Sequence, residues 1–102
     1  MVKEQHLRRE RERYTELYKA VQALQTRGEC RRFLADLLTP LELKECANRW
    51  AIALLLLDGM PQNKVAKLLR VSSTTVSRVN GCLLRGEGGY ARIRKKLRYK
   101  GT

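Results

Sequence analysis

The chain has 102 residues, with 22 Lys and Arg against 10 Asp and Glu, and its formal net charge is +12. This length suits one domain, or one domain with an additional arm. The surplus charge lies in residues 59–102, which contain 11 basic residues and one acid, whereas residues 1–58 contain 11 basic and 9 acidic residues. Such asymmetry is typical of proteins with a polyanionic partner. An acidic membrane surface is the competing partner, but it would require a helix with a broad apolar face turned outward, and residues 61–85 offer short hydroxyls instead. No apolar run reaches the roughly 18 residues of a spanning helix.

The residues that carry metal or catalytic chemistry are sparse. Cys30, Cys46 and Cys82 stand far apart, and His6 is the one histidine. Structural zinc needs four closely spaced soft ligands, so we expect neither a metal site nor another cofactor. No paired carboxylates or nucleophile set is visible, and the sequence GEGGY lacks the lysine of a P-loop, so we expect no enzyme. An odd cysteine count without a signal peptide predicts a reducing, cytoplasmic location.

The first predicted helix spans residues 3–27, which contain neither Gly nor Pro. Residues 1–13 are highly charged and are expected to form a solvated arm or helix start. The apolar side chains that follow recur with helical spacing and form a stripe that needs a surface to pack on: Tyr14, Leu17, Tyr18, Val21 and Leu24. Gly28 is expected to end this helix, and a short helix is predicted at Cys30–Leu38.

The strongest helix start lies at Thr39. Its side chain provides an N-cap oxygen, Pro40 occupies the first helical position, and Glu42 completes a capping box. The predicted helix Leu41–Asp58 is apolar nearly all round in its second half, so it should be central and covered on several sides. Part of that cover is expected from a second subunit. Gly59 should end the helix.

Residues 61–85 are predicted to form two short helices joined by a tight turn at Arg70 and Val71. Apolar positions recur at helical spacing in each half, and Ser72 offers an N-cap for the second helix. That helix presents short hydroxyl side chains to solvent, and residues 60–85 contain five basic residues and no acid. Such a unit, placed at residues 61–84, is what reading of the DNA major groove requires. The alternative is a helical hairpin whose charges are only solvated.

The segment after Arg85 begins with a glycine-rich break and continues as a basic tail at residues 91–102. Ile93 and Leu97 lie four apart, which favours a short helix at residues 90–98. The tail either contacts phosphates or is a solvated charge run.

These segments together resemble the Trp repressor superfamily, and most closely its YerC/YecD-type Trp-repressor-like regulators. The resemblance rests on LLTP, SSTTVSRVNGCL and GEGGY in this order and covers residues 14–90. It implies an all-α helical bundle with a helix-turn-helix, built as an intertwined homodimer. It also implies a sequence-specific transcriptional regulator, expected to be a repressor, that binds double-stranded DNA.

The resemblance also bears on ligand binding. In the Trp repressor the corepressor lies between two arginines and a threonine, and Thr39, Arg49 and Arg78 occupy the matching positions here. Val79 stands where the Trp repressor has a glycine against which the indole packs. This added side chain predicts that tryptophan does not bind, and that the two arginines serve in a salt bridge or phosphate contact. A second departure is Arg70, in a turn position where glycine often takes a left-handed conformation.

In a DNA-reading unit, hydroxyl groups suit base edges, whereas amides and cations suit phosphates. The residues expected to face bases are Ser72, Ser73, Thr74 and Ser77. Those expected to contact phosphates are Gln62, Asn63, Lys64, Lys67 and Arg78. Two other functions stay open: a helix-turn-helix module of a transposase or other mobile-element protein, and a protein that grips an acidic protein partner with its apolar stripe and basic tail.

Overall fold

The computed structural model describes residues 3–99, and over this range the chain forms seven α-helices and no β-strand. The all-α prediction is therefore confirmed. The start of the predicted arm (residues 1–2) and the end of the predicted tail (residues 100–102) lie outside the described residues. The chain divides into two compact units, residues 1–38 and residues 39–102.

The first unit contains α1 (Glu4–Arg8), α2 (Glu10–Ala23) and α3 (Arg27–Leu37). The single helix predicted for residues 3–27 is wrong, because Arg9 has extended backbone (φ −85°, ψ 130°) and separates α1 from α2. The His6 ring then reaches α2, with one ring nitrogen 3.1 Å from a carboxylate oxygen of Glu16 and the other 3.6 Å from Glu12. This hydrogen bond from His6, followed by one from Lys19, holds the pKa of Glu16 below its usual value.

The boundary between α2 and α3 is set by a capping box. Thr26 Oγ1 accepts a hydrogen bond from the backbone N–H of Glu29 at 3.0 Å, and the Glu29 carboxylate accepts one from the backbone N–H of Thr26 at 3.2 Å. Since this box fixes the start of α3 at Arg27, the helix begins three residues earlier than predicted. Gly28 lies inside its first turn, so the prediction that it ends the preceding helix is wrong.

The second unit contains α4 (Pro40–Leu57), α5 (Gln62–Leu69), α6 (Ser73–Arg85) and α7 (Gly89–Tyr99). The capping box at the start of α4 is confirmed: the Glu42 N–H donates to Thr39 Oγ1 at 3.1 Å, and the Thr39 N–H donates to the Glu42 carboxylate at 2.9 Å. The second bond lowers the pKa of Glu42. Gly59 ends the helix as predicted, with φ +92°, and the Met60 N–H returns to the carbonyl of Leu55 at 3.1 Å.

The core of the second unit is small and aliphatic, as predicted. Helix α4 packs against α5, α6 and α7, which agrees with its predicted central place. The buried side chains, each at most 3% exposed, are Ile52, Ala53, Val65, Val76 and Val79. They come from α4, α5 and α6, so the core holds the two helices of the predicted DNA-reading unit against α4.

Helix α7 confirms the short helix predicted near residues 90–98, and it is fixed to α4 at two places. The rings of Tyr90 and Trp50 stack with centroids 6.1 Å apart and planes 25° apart. One turn further along, the Arg94 guanidinium donates to the carboxylate of Asp58. Residues 91–99 of the basic tail are therefore helical and carry the ionic contact of Arg94, while the ring contact of Tyr90 lies just before them.

Candidate nucleic-acid interface

The two helices α5 and α6 meet at a left-handed turn. Arg70 ends α5 with φ 56° and ψ 48°, and the Val71 N–H reaches back to the carbonyl of Ala66 at 3.2 Å. This hydrogen bond closes a six-residue turn and is characteristic of the Schellman motif, which commonly ends helices at a left-handed residue. The turn predicted at Arg70 and Val71 is therefore confirmed, with a non-glycine residue in the strained position.

The start of α6 is fixed by Ser72. Its Oγ accepts a hydrogen bond from the backbone N–H of Thr75 at 3.1 Å and lies 2.8 Å from the Thr75 hydroxyl. The N-cap predicted from the sequence is thus confirmed. Because the same oxygen is predicted to face DNA bases, its use in the cap leaves Ser72 with less hydrogen-bonding capacity than the hydroxyls of Ser73, Thr74 and Ser77.

Three of the predicted base-facing residues share one surface of α6. Ser73, Thr74 and Ser77 are exposed, and they fall within about 100° of the helix circumference. The buried Val76 and Val79 hold the opposite side of the helix on the core. Since none of the three hydroxyls has a hydrogen-bond partner among residues 3–99, all three can donate to and accept from a molecule that approaches this surface.

The predicted phosphate-contacting residues are exposed as well. Four of them lie on α5, with Gln62, Asn63 and Lys64 in its first turn and Lys67 in its last, and Arg78 lies on α6. Neither helix contains an acid, and the three cations form no ion pair within the described part of the chain. Their charges are therefore compensated by solvent ions, which a polyanion can displace.

A polar cleft of about 470 Å³ lies where α4 meets the turn and the start of α6. It brings together the predicted Arg49 and Arg78, but neither Thr39 nor Val79 lines it. The Thr39 hydroxyl caps α4, and Val79 is 3% exposed in the core. The full set of lining residues is Lys44, Glu45, Asn48, Arg49, Arg70, Val71, Ser72, Thr75 and Arg78.

Two cations in this cleft were not predicted as site residues. Lys44 and Arg70 join Arg49 and Arg78 there, against the single acid Glu45. The sequence marks Arg70 as unusual for its turn, but the place of Lys44 depends on how α4 packs against α6. Potential metal ligands do not gather anywhere in residues 3–99 in groups of three or more. None of the described helices is long and apolar enough to cross a bilayer.

Comparison with known proteins identifies this arrangement. The sequence model of the Trp repressor protein family matches residues 12–98. The chain belongs to the Trp repressor family. It is therefore a DNA-binding regulator of the Trp repressor fold, and the family as a whole is not enzymatic.

Individual members of the family agree with this assignment. The chain is 33% identical over 75 residues to the uncharacterized protein YerC of Bacillus subtilis strain 168. The matched residues make up 74% of this chain and 72% of YerC. A Staphylococcus aureus protein provisionally assigned as a Trp repressor superposes with a TM-score of 0.79 and 28% identity, over 83% of this chain and 85% of that one. A TrpR-like protein of Eubacterium eligens ATCC 27750 gives a TM-score of 0.77 and 29% identity, over 81% and 86%.

Proposed function

We propose that this Trp repressor family member is a cytoplasmic, sequence-specific repressor that binds double-stranded DNA as a homodimer, without tryptophan as corepressor. The observation that carries the proposal is the exposed surface of α5 and α6, where unpaired hydroxyls lie beside unpaired cations and no acid is present. Family membership favours this function over a mobile-element module or a protein that grips an acidic partner.

In this proposal the two helices have different tasks. Ser73, Thr74 and Ser77 enter the major groove and contact base edges, directly or through water. Lys64 and Lys67 bind phosphates on one side of the groove, and the amides of α5 and Arg78 add to these contacts. In a dimer, these three cations in each protomer give about six phosphate contacts and contribute about −5 to the slope of log K against log salt.

Two features support the homodimer. No side chain of α1, α2 or α3 is buried, although α2 carries the apolar stripe predicted from the sequence. In the second unit, an apolar groove of about 650 Å³ is lined by residues that include Trp50, Leu83, Ile93 and Leu97. Grooves lined mainly by apolar side chains are typical binding sites, and a second copy of the chain offers matching apolar helices.

The absence of a tryptophan response is inferred from Val79. The resemblance places this residue where the Trp repressor has a glycine against the indole ring, and its side chain is buried in the core. Of the nine described residues that line the adjacent cleft, Val71 alone is apolar. A planar apolar ring would gain little from such walls, because small-molecule sites are mostly lined by apolar side chains.

The test is selection of genomic DNA fragments by the purified protein at physiological salt, with and without L-tryptophan. We expect one palindromic motif, with half-site centres about 34 Å or a multiple apart, and no change on addition of tryptophan. Salt-sensitive retention of DNA with no enriched sequence would contradict the proposal. Placing the motif in a promoter ahead of a reporter should then lower expression when the protein is present.

Variants separate the two tasks. Ser73→Ala and Thr74→Ala should change which bases are preferred, whereas Lys64→Gln and Lys67→Gln should weaken binding to all sequences alike and flatten the salt dependence. Equal losses on specific and random DNA for all four variants would refute the assignment of the hydroxyl surface to base reading.

A further inference from the structure

Arg70 is the one non-glycine residue between residues 3 and 99 with a positive φ. A side chain in the left-handed conformation crowds the following carbonyl oxygen, which glycine avoids. The surrounding hydrogen bonds hold the residue there, because Val71 is tied to Ala66 on one side and Ser72 caps α6 on the other. The turn is therefore built in a conformation for which arginine is a costly choice.

The side chain of Arg70 adds a second unfavourable term. It is exposed, it forms no ion pair or hydrogen bond within the described residues, and it shares the polar cleft with Lys44, Arg49 and Arg78. Only one acid, Glu45, lines the same cleft. Like charges that share a concave surface repel one another and raise the local positive potential. Both the backbone and the charge at this position therefore oppose folding.

We propose that Arg70 binds a backbone phosphate of the DNA at the turn between α5 and α6. This inference rests on the proposed function and adds to it a residue that fixes the protein on the duplex. In helix-turn-helix docking, the first helix crosses the backbone and the start of the second helix enters the groove. A residue in the turn between them therefore lies close to the backbone that borders the groove.

The chemistry of the side chain fits this ligand. A guanidinium group presents paired N–H donors that match two phosphate oxygens, and it stays charged at any physiological pH. The neighbouring cations of the cleft increase the attraction for the same phosphate, so repulsion in the free protein becomes attraction in the complex. A phosphate carries no base identity, so Arg70 should raise affinity for every sequence by a similar factor.

The decisive variant is Arg70→Gly, because it removes the backbone strain and the charge together. We expect its thermal midpoint to rise by about 4–8 °C, while its affinity for the selected DNA motif falls about 10- to 100-fold. The salt slope of a dimer should become less negative by about 1.8, since two contacts are lost. A more stable protein with weaker DNA binding is an outcome that a purely structural role would not give.

Three further variants isolate the cause. Arg70→Lys keeps the charge and should keep most of the salt slope. Arg70→Asn also tolerates the left-handed turn, but it removes the charge and should lose the contribution of residue 70 to the salt slope. Arg85→Gln removes one cation from the end of α6, outside the cleft, and should leave affinity and slope unchanged. Unchanged affinity and slope in Arg70→Gly would overturn the inference while leaving the proposed function intact. Failure of the unmodified protein to select any motif would refute both.

Discussion

The Tyr18 ring on α2 gives the most direct test of the dimer. It is 67% exposed, and Tyr14 and Val21 on the same helix are each about half exposed, at 51% and 49%. An aromatic side chain covers about 150–250 Å², so roughly 130 Å² of Tyr18 is available to a partner. At about 25 cal/mol per Å², covering it contributes about 3 kcal/mol in each protomer.

The substitution Tyr18→Ala should therefore weaken the dimer strongly. A two-fold symmetric interface loses the contact twice, and about 6 kcal/mol of lost association energy raises the dissociation constant roughly 10⁴-fold. Sedimentation equilibrium over a dilution series measures this constant directly. Palindromic DNA binding should weaken in parallel at low protein concentration, because only the dimer spans both half-sites.

Leu68 provides the matched control. It is 61% exposed on α5, where it lies among the cations of the proposed DNA surface rather than on an apolar stripe. Leu68→Ala removes a similar apolar area and should leave the dimer constant within a few-fold of the original. An unmodified protein that stays monomeric at micromolar concentration would contradict the proposed dimer, and so would an equal weakening of association by both substitutions.

Three predictions concern stability. Ser72→Ala removes the cap of α6 and should cost about 1 kcal/mol in denaturant unfolding, whereas Ser73→Ala should change the free energy of unfolding by less than about 0.5 kcal/mol. Ile52→Ala should cost about 2–5 kcal/mol and Ile52→Val about 0.5–1.5 kcal/mol, and similar losses for both would show that the centre of α4 is not tightly packed. The lowered pKa of Glu42 means that its stabilisation is present above its ordinary value of 4.5 and is lost as pH falls through the folded value. Thermal unfolding between pH 3 and 6 should therefore be less pH-dependent for Glu42→Gln than for the unmodified protein, and an unchanged pH profile would contradict this role of Glu42.

Helices α4 to α7 could be predicted because their ends carry strong local signals. Thr39 and Ser72 are N-caps whose oxygens can reach backbone N–H groups within the same turn, and Gly59 ends a helix at the residue where φ turns positive. Such signals act between residues three or four apart. They are visible in the sequence and do not depend on how the chain packs.

The errors lie where the deciding contact was distant or where two signals competed. The break at Arg9 has no Gly or Pro, and His6 reaches Glu16 ten residues away, which no local pattern reports. At the next boundary, Thr26 and Glu29 form a capping box that the sequence does contain. Gly28 lies inside α3 and does not end the preceding helix, since a glycine is tolerated inside a helix at a modest cost.

The candidate site also has one feature that the sequence predicts and one that it does not. Exposure of the hydroxyls on α6 follows from helical periodicity, since Val76 and Val79 had to face the core. The cleft that joins Arg49, Arg70 and Arg78 does not follow from periodicity, because it forms only when α4 packs across the start of α6. Predicting the cleft would require knowledge of how α4 and α6 cross, which no local sequence pattern provides.

In the proposed function tryptophan does not control DNA binding, because Val79, at the position that the resemblance assigns to the indole contact, is buried in the core. We propose that Arg49 and Arg78, which line a cleft with almost entirely polar walls, bind DNA phosphates instead of a corepressor. Binding then needs no small molecule to complete the surface. The proposed dimer is needed to read both half-sites at once, so occupancy of the operator should follow the dimer concentration. We therefore expect the protein to respond to its own abundance, and a substitution that weakens the α2 stripe should relieve the proposed repression as fully as one that removes a DNA contact.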